Sequence, residues 1–226
     1  MTRFGPHRAR LADSQEHGAD SELFLVEGDS ALASVCAVRQ ERRQAVLAFQ
    51  GKPLNAWHAG ALRVDEHAAY QLLAQALGLA QASATQAAAE LERLRYGRVL
   101  LLLDPDADGI HIGALLAMYF LRWQAPWVAA GRLWLVRAPM FEIIGADGVI
   151  QHADHPLERD ALLAALRQSC PEAPPRVQAH RGLGSIRPAV LRERCLESAT
   201  RRAQVLSPTD IQAMATAFSR AARGDA

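Results

Sequence analysis

The sequence predicts an α/β fold on a mostly parallel sheet, with a C-terminal extension of hairpin, tight turn and helices. Three observations carry that expectation. Short apolar runs at Glu22–Val26, Ala45–Phe49 and Arg98–Leu103 alternate with longer stretches of helical composition, the order in which parallel sheets are built. The runs are almost continuously apolar, as strands covered on both faces are. Acidic residues gather immediately after two of them, where open parallel sheets place their ligands. The division expected is a lead-in over residues 1–20, a core over 21–140 and an extension over 141–226.

The first twenty residues are polar and lack periodicity, so they read as a connecting lead-in. Glu22–Val26 is a buried strand entering Gly28-Asp29-Ser30, and the small residues from Ala31 to Val38 form a helix capped by Asp29 or Ser30. Ala45–Phe49 is a second strand, closed by Gly51-Lys52-Pro53. From Asp65 to Arg95 the composition is rich in Ala, Leu and Glu with a break near Gly78, which predicts two helices. Arg98–Leu103 is the strongest strand signal, followed by an Asp-rich loop and a helix from about His111 to Trp123. A strand is expected over Arg132–Arg137 and a hairpin from Met140–Ile144 and Val149–Gln151 about Gly145 and Gly148. A helix over Pro156–Gln168, a linker over Pro171–Pro175, a turn at Arg181–Gly184 and two more helices complete the chain.

Composition narrows the function. Twenty-five basic against 24 acidic residues give a net charge of +1 in 226 residues, which excludes a polybasic nucleic-acid coat and an acidic disordered tail. No run approaches the ~18 apolar residues of a membrane span, and the N-terminus lacks the apolar stretch of a signal peptide. Cys36, Cys170 and Cys195 offer neither a disulfide framework nor paired metal spacing. A cytoplasmic protein without membrane partners is the expectation.

Asp104, Asp106 and Asp108 crowd one strand end, and Glu27 ends another. Clustered carboxylates repel and raise one another's pKa, so the cluster calls for compensation, and a hard divalent cation such as Mg²⁺ supplies it. The loop taken alone has other readings. A calcium-binding EF-hand fails at the twelfth position, where Leu115 replaces the bidentate Glu, and a strand precedes the loop instead of a helix. A solvated turn with an Asp helix cap and a phosphoryl-transfer aspartate both remain open. The second acidic cluster at Glu27-Gly28-Asp29-Ser30 weighs against both.

Leu25-Val26-Glu27-Gly28-Asp29-Ser30-Ala31 and Asp104-Pro105-Asp106-Ala107-Asp108-Gly109-Ile110-His111-Ile112 resemble the two signature motifs of the TOPRIM domain. The version is that of type IIA topoisomerase B subunits, gyrase B and topoisomerase IV B. Arg10–Asp13, Gln44–Leu47 with Gly51–Asn55, Leu94–Gly97, Ala138–Phe141 and Arg181–Gly184 through Arg202 are similar to family segments in the same order. The resemblance implies a Rossmann-like TOPRIM core with a C-terminal helical extension. It implies a Mg²⁺ cofactor held by Glu27, Asp104 and Asp106, with Asp108 auxiliary, and Glu27 as general acid and base. Lys52 and Arg181 would contact phosphates of double-stranded DNA, Gly182 and Gly184 would admit the DNA backbone, and Asp29, Ser30 and His111 would support the site. The activity implied is DNA cleavage and religation with an A subunit that supplies the tyrosine, together with a separate ATPase subunit, since no Gly-x-x-x-x-Gly-Lys-Ser/Thr loop is present. A stand-alone Mg²⁺-dependent TOPRIM nuclease and a non-catalytic protein docking on an A subunit are the alternatives. Leu32 and Ala33 replace two family glycines, and Gln50 and Gly113 stand where basic residues are usual.

Tyr70 and Tyr119 lie among apolar neighbours in expected helices and read as packing residues, and for Tyr96, in the lead-in to the Asp-rich strand, the resemblance implies no nucleophilic role. Trp123, Trp127 and Trp134 read as core or subunit interface. Arg192, Arg194, Arg201 and Arg202 read as a solvated helix surface, with a DNA-facing patch the alternative.

Overall fold

The computed structural model describes residues 11–85, 91 and 94–221. The strands are β1 (Leu11–Ala12), β2 (Gly18–Glu27), β3 (Gln44–Phe49), β4 (Tyr96–Leu101), β5 (Leu133–Val136), β6 (Phe141–Ile144), β7 (Ile150–Ala153), β8 (Arg176–Ala179) and β9 (Ala203–Val205). The helices are α1 (Gly28–Cys36), α2 (Ala61–Asp65), α3 (Ala68–Leu77), α4 (Ala107–Trp123), α5 (Ala125–Ala129), α6 (Pro156–Ser169), α7 (Pro188–Leu191) and α8 (Pro208–Ala221).

The main sheet has the order β1-β3-β2-β4-β5-β9. Its centre is parallel, with β2 paired to β3 and β4 and β4 to β5, while the edge strands β1 and β9 run antiparallel. The continuous apolar runs follow from double coverage. Leu23, Leu25, Leu47, Val99 and Leu101 face one layer with α3 and α4. Phe24, Val26, Val46, Leu100 and Leu102 face the other, against α1 and the C-terminal Leu183, Leu191 and Cys195. Successive residues point to opposite sides, so a strand covered on both faces needs apolar residues at every position.

β2 sits between β3 and β4, and the chain leaves β2 and β4 toward opposite faces of the sheet. That is the topological switch point at which such sheets open a crevice beyond their carboxyl ends. Glu27 closes β2, and Asp104 follows β4. At the other end of the same strands, buried Glu22 takes a bidentate contact from Arg201 Nη2 and Nη1 at 2.6 and 2.8 Å. Gln44 Nε2 donates to Glu22 at 3.0 Å as well. A second, antiparallel sheet, β7-β6-β8, carries α6.

Several expectations change. α1 begins three residues early because Gly28, at φ +77°, turns the chain directly out of β2; Glu27 takes the N-cap position, and Asp29 and Ser30 fall inside the first turn. α4 starts at Ala107 because Asp106 caps it, accepting from the Gly109 N–H at 2.8 Å. The helix ending at Gly78 is present, but residues 79–85 form turns and most of the second expected helix lies outside the described residues, as does Arg10. β8 and β9 were not expected, and both lie in the extension; the lead-in likewise supplies β1. The four C-terminal arginines separate: Arg192 stays exposed, as expected, whereas the other three pair with acids, Arg202 while still half exposed. Arg201 is 4% exposed on Glu22, and Arg194 and Arg202 bind Asp154 at 3.1 Å.

Where β2 and β4 cross at their amino ends, a Cβ on Gly97 would lie 1.9 Å from the Ala19 carbonyl oxygen. That atom is backbone and cannot swing aside. Gly97→Ala is therefore expected to cost about 1–3 kcal/mol, read as a lowered urea midpoint, with the acidic end of the sheet unaltered.

Candidate metal centre

The carboxylates reach the crevice by different routes. Glu27 arrives at the end of β2, and burial raises its pKa, reinforced by the charges of Asp104, Asp106 and Asp108 and opposed by Lys52. Asp104 leaves β4, and burial pushes its carboxyl up; the Leu183 N–H, donating to Oδ1 at 2.8 Å, pulls the other way, and Asp106 adds to the rise. Asp106 spends Oδ1 on the cap of α4. Asp108 is exposed on the first turn of α4, where Lys52 Nζ reaches Oδ1 at 2.7 Å and holds its carboxyl below the usual range.

Three glycines let the surrounding backbone close on this group. A Cβ on Gly109 would stand 2.1 Å from the Asp104 carbonyl oxygen, so the loop can fold back tightly only without one. A Cβ on Gly182 would stand 2.7 Å from Asp104 Oδ2, and one on Gly184 2.6 Å from Ser30 Oγ. The turn at Arg181–Gly184 thus presses against both acidic segments at once.

Glu27, Asp104, Asp106, Asp108, Lys52, Ser30, Gly182 and Gly184 accordingly meet around one crevice. Arg181 is exposed beside them. Asp29 lies in the first turn of α1. His111 packs its ring edge-on to Phe218 of α8, 4.7 Å between centroids, while its charge still favours the ionised form of Asp108. The Leu183 N–H was invisible to a reading of side chains; the flanking glycines were its only sequence signal.

Among the described residues, no group of three or more His, Cys, Asp or Glu side chains is placed so as to hold a metal ion. The donor set still suits Mg²⁺, which retains several waters and takes one or two carboxylates instead of an all-protein shell. Among the described residues, hydrogen bonds engage neither Asp104 Oδ2 nor Asp106 Oδ2, and the Glu27 carboxylate carries repulsion from three neighbours that Lys52 only partly offsets.

All three tyrosines are fully buried. Tyr70 donates to the Leu54 carbonyl, Tyr96 to Asp13 and Tyr119 to the Ala82 carbonyl. Trp127 is buried in the core, and Trp123 and Trp134 donate their indole N–H to the carbonyls of Ala56 and Gly131.

An acidic cluster at the switch point of a mostly parallel sheet defines the class: an α/β domain with carboxylates gathered beyond the carboxyl ends of its two central strands. The sequence matches the Toprim domain over residues 22–138. The chain belongs to that family. It is 36% identical over 203 residues to the B subunit of DNA topoisomerase 4 from Pseudomonas aeruginosa, covering 89% of this chain and 31% of that protein. It is 34% identical over 186 residues to the B subunit of DNA gyrase from Thermus thermophilus, covering 81% of this chain and 28% of that protein. The chain therefore spans about a third of the length of the curated relatives it matches. The Plasmodium falciparum topoisomerase II DNA-binding, cleavage and re-ligation domain shares the fold, with a TM-score of 0.69 at 18% identity over 85% of this chain and 26% of that one. The chain is thus a relative of type IIA topoisomerase B subunits through their Toprim region. No described helix is long and apolar enough to cross a membrane.

Proposed function

We propose that this chain is the Mg²⁺-binding Toprim module of a type IIA DNA topoisomerase, supporting cleavage and religation of double-stranded DNA with an A subunit that supplies the attacking tyrosine. The observation that carries the reading is the meeting of Glu27 with Asp104 and Asp106 across the switch point between β2 and β4. Glu27, Asp104 and Asp106 would hold the ion, with Asp108 auxiliary. When bound, Mg²⁺ supplies charge stabilisation at the scissile phosphate and the departing 3′ oxygen. Glu27, whose carboxyl is raised by burial and its acidic neighbours, passes a proton to that oxygen and recovers it on religation. Lys52 and Arg181 grip adjacent phosphates, the glycines at 182 and 184 let the turn close on Asp104 and Ser30, and Asp29, Ser30 and His111 support the crevice.

The burial of Tyr70, Tyr96 and Tyr119 favours a partner's tyrosine. The setting is the cytoplasm. The core over residues 21–140 shares its sheet with the lead-in and the extension, which makes the three parts one functional unit.

The test is a supercoiled-plasmid assay with Mg²⁺, using the chain alone and with an A-type subunit, each repeated with Glu27→Ala. Covalently linked breaks that need both the partner and Glu27 are expected, with at least a hundredfold loss in the variant. Nicking by the chain alone would instead make it a nuclease. No cleavage in any mixture, with a stable complex to the A subunit, would make it a docking protein.

A further inference from the structure

The geometry points to Ser185 as a positioning residue for Asp104, acting through the backbone of the Arg181–Gly184 turn. The turn is a single 3₁₀ loop over Leu183–Ser185, and Ser185 closes it twice. Its Oγ donates to the Gly182 carbonyl at 2.7 Å and accepts from the Arg181 N–H at 3.1 Å. Its own N–H donates to the same Gly182 carbonyl at 3.0 Å. These contacts fix the peptide plane between Gly182 and Leu183, and with it the direction of the Leu183 N–H. That N–H is the donor to Asp104 Oδ1 at 2.8 Å.

The consequence for the carboxylate is specific. Gly182 stands so close that even a Cβ would touch Asp104 Oδ2. The turn therefore both pulls one oxygen and limits the swing of the other. Asp104 is left with Oδ1 held by the Leu183 N–H and Oδ2 confined by Gly182. Second-layer hydrogen bonds of this kind orient metal ligands, and their removal typically costs about 10- to 100-fold in affinity or activity. Ser185 itself is exposed and anchors no core contact, so its hydroxyl is free to serve orientation instead of folding. Leu183, buried at the far side of the turn against the sheet, supplies the rigid base.

The role as a ligand-positioning residue rests on the metal-binding reading above, whereas the hold on the turn does not. The experiment separates them. Mg²⁺ affinity is measured by calorimetry on the full chain, and amide hydrogen exchange is followed at Leu183, for the parent, Ser185→Ala and Ser185→Thr. Ser185→Ala is expected to weaken Mg²⁺ binding about tenfold and to speed exchange at Leu183 by a similar factor. Its melting temperature in EDTA should match the parent, and Ser185→Thr, which keeps the hydroxyl, should restore both readouts. Unchanged Mg²⁺ affinity in Ser185→Ala, beside a parent that binds the ion, would overturn the assignment. Should the parent bind no Mg²⁺, the metal reading fails by itself; faster exchange at Leu183 then still establishes the hold on the turn, and unchanged exchange overturns it.

Discussion

One methyl group added at position 182 is expected to lower Mg²⁺ affinity and partner-dependent DNA cleavage by about 10- to 100-fold, while the fold survives. In Gly182→Ala the new Cβ would lie 2.7 Å from Asp104 Oδ2 and 3.1 Å from its carboxyl carbon. The backbone at Gly182 is extended, with φ 169°, so alanine introduces no dihedral strain. The clash must be relieved by the softest group present, and that is the Asp104 carboxylate. It can turn only by giving up the Leu183 N–H or by leaving the crevice, and either displaces a proposed ligand. All four acidic residues remain in place, so the loss would arise from orientation alone. Calorimetry with Mg²⁺ and the plasmid assay read the effect. Circular dichroism and thermal melting in EDTA, which should stay close to the parent, exclude unfolding as its cause.

Arg201→Met is expected to cost about 3 kcal/mol of stability. Arg201 is 4% exposed and Glu22 9%, and the two form a bidentate pair. Removing the guanidinium strands a buried carboxylate. Gln44 contributes one hydrogen bond and Arg98 stands at 3.4 Å, too little to replace two charge-assisted contacts. For a chain of this size the loss corresponds to about 6–12 °C in melting temperature. Adding Glu22→Gln to Arg201→Met should recover part of it, because the stranded charge disappears. A drop no larger than that of a surface arginine would mean that the pair does not anchor the C-terminal segment to the sheet.

The two predictions lie at opposite ends of the same strands, and the sequence revealed them unequally. β2 and β4 were legible because burial on both faces forces unbroken apolar runs, and the carboxylates stood out because acidic residues follow both of these runs directly. β8 was not, since all four of its residues are exposed and only Val177 carries a strand-like side chain. β9 has three residues, too few for a pattern. The Arg201–Glu22 pair joins positions 179 residues apart, so the arginine looked like surface charge until the fold placed it. The helix cap differs for a local reason: Gly28 reverses the chain within one residue, and the strand enters the helix without the polar linker that a cap at Asp29 or Ser30 presupposes. The hold on Asp104 could not be read at all from side chains, because its donor is a backbone N–H.

The central claim is that the carboxylates crowded around Glu27 await a cation. Burial and three acidic neighbours raise the Glu27 pKa, so the folded state binds that proton more tightly than the unfolded chain does. The ionised group therefore costs stability that grows as pH rises from the unfolded pKa through the folded one. Thermal melting at pH 7 of the parent and Glu27→Gln, each in EDTA and in Mg²⁺, tests this most directly. Without metal the variant should melt about 1–2 °C above the parent, solvent screening of the half-open site included. At a hundredfold excess of Mg²⁺ over its Kd the parent should gain about 2.7 kcal/mol, or about 5–11 °C, and the variant far less, so that the order reverses. Equal responses of the two proteins to Mg²⁺ would contradict the account.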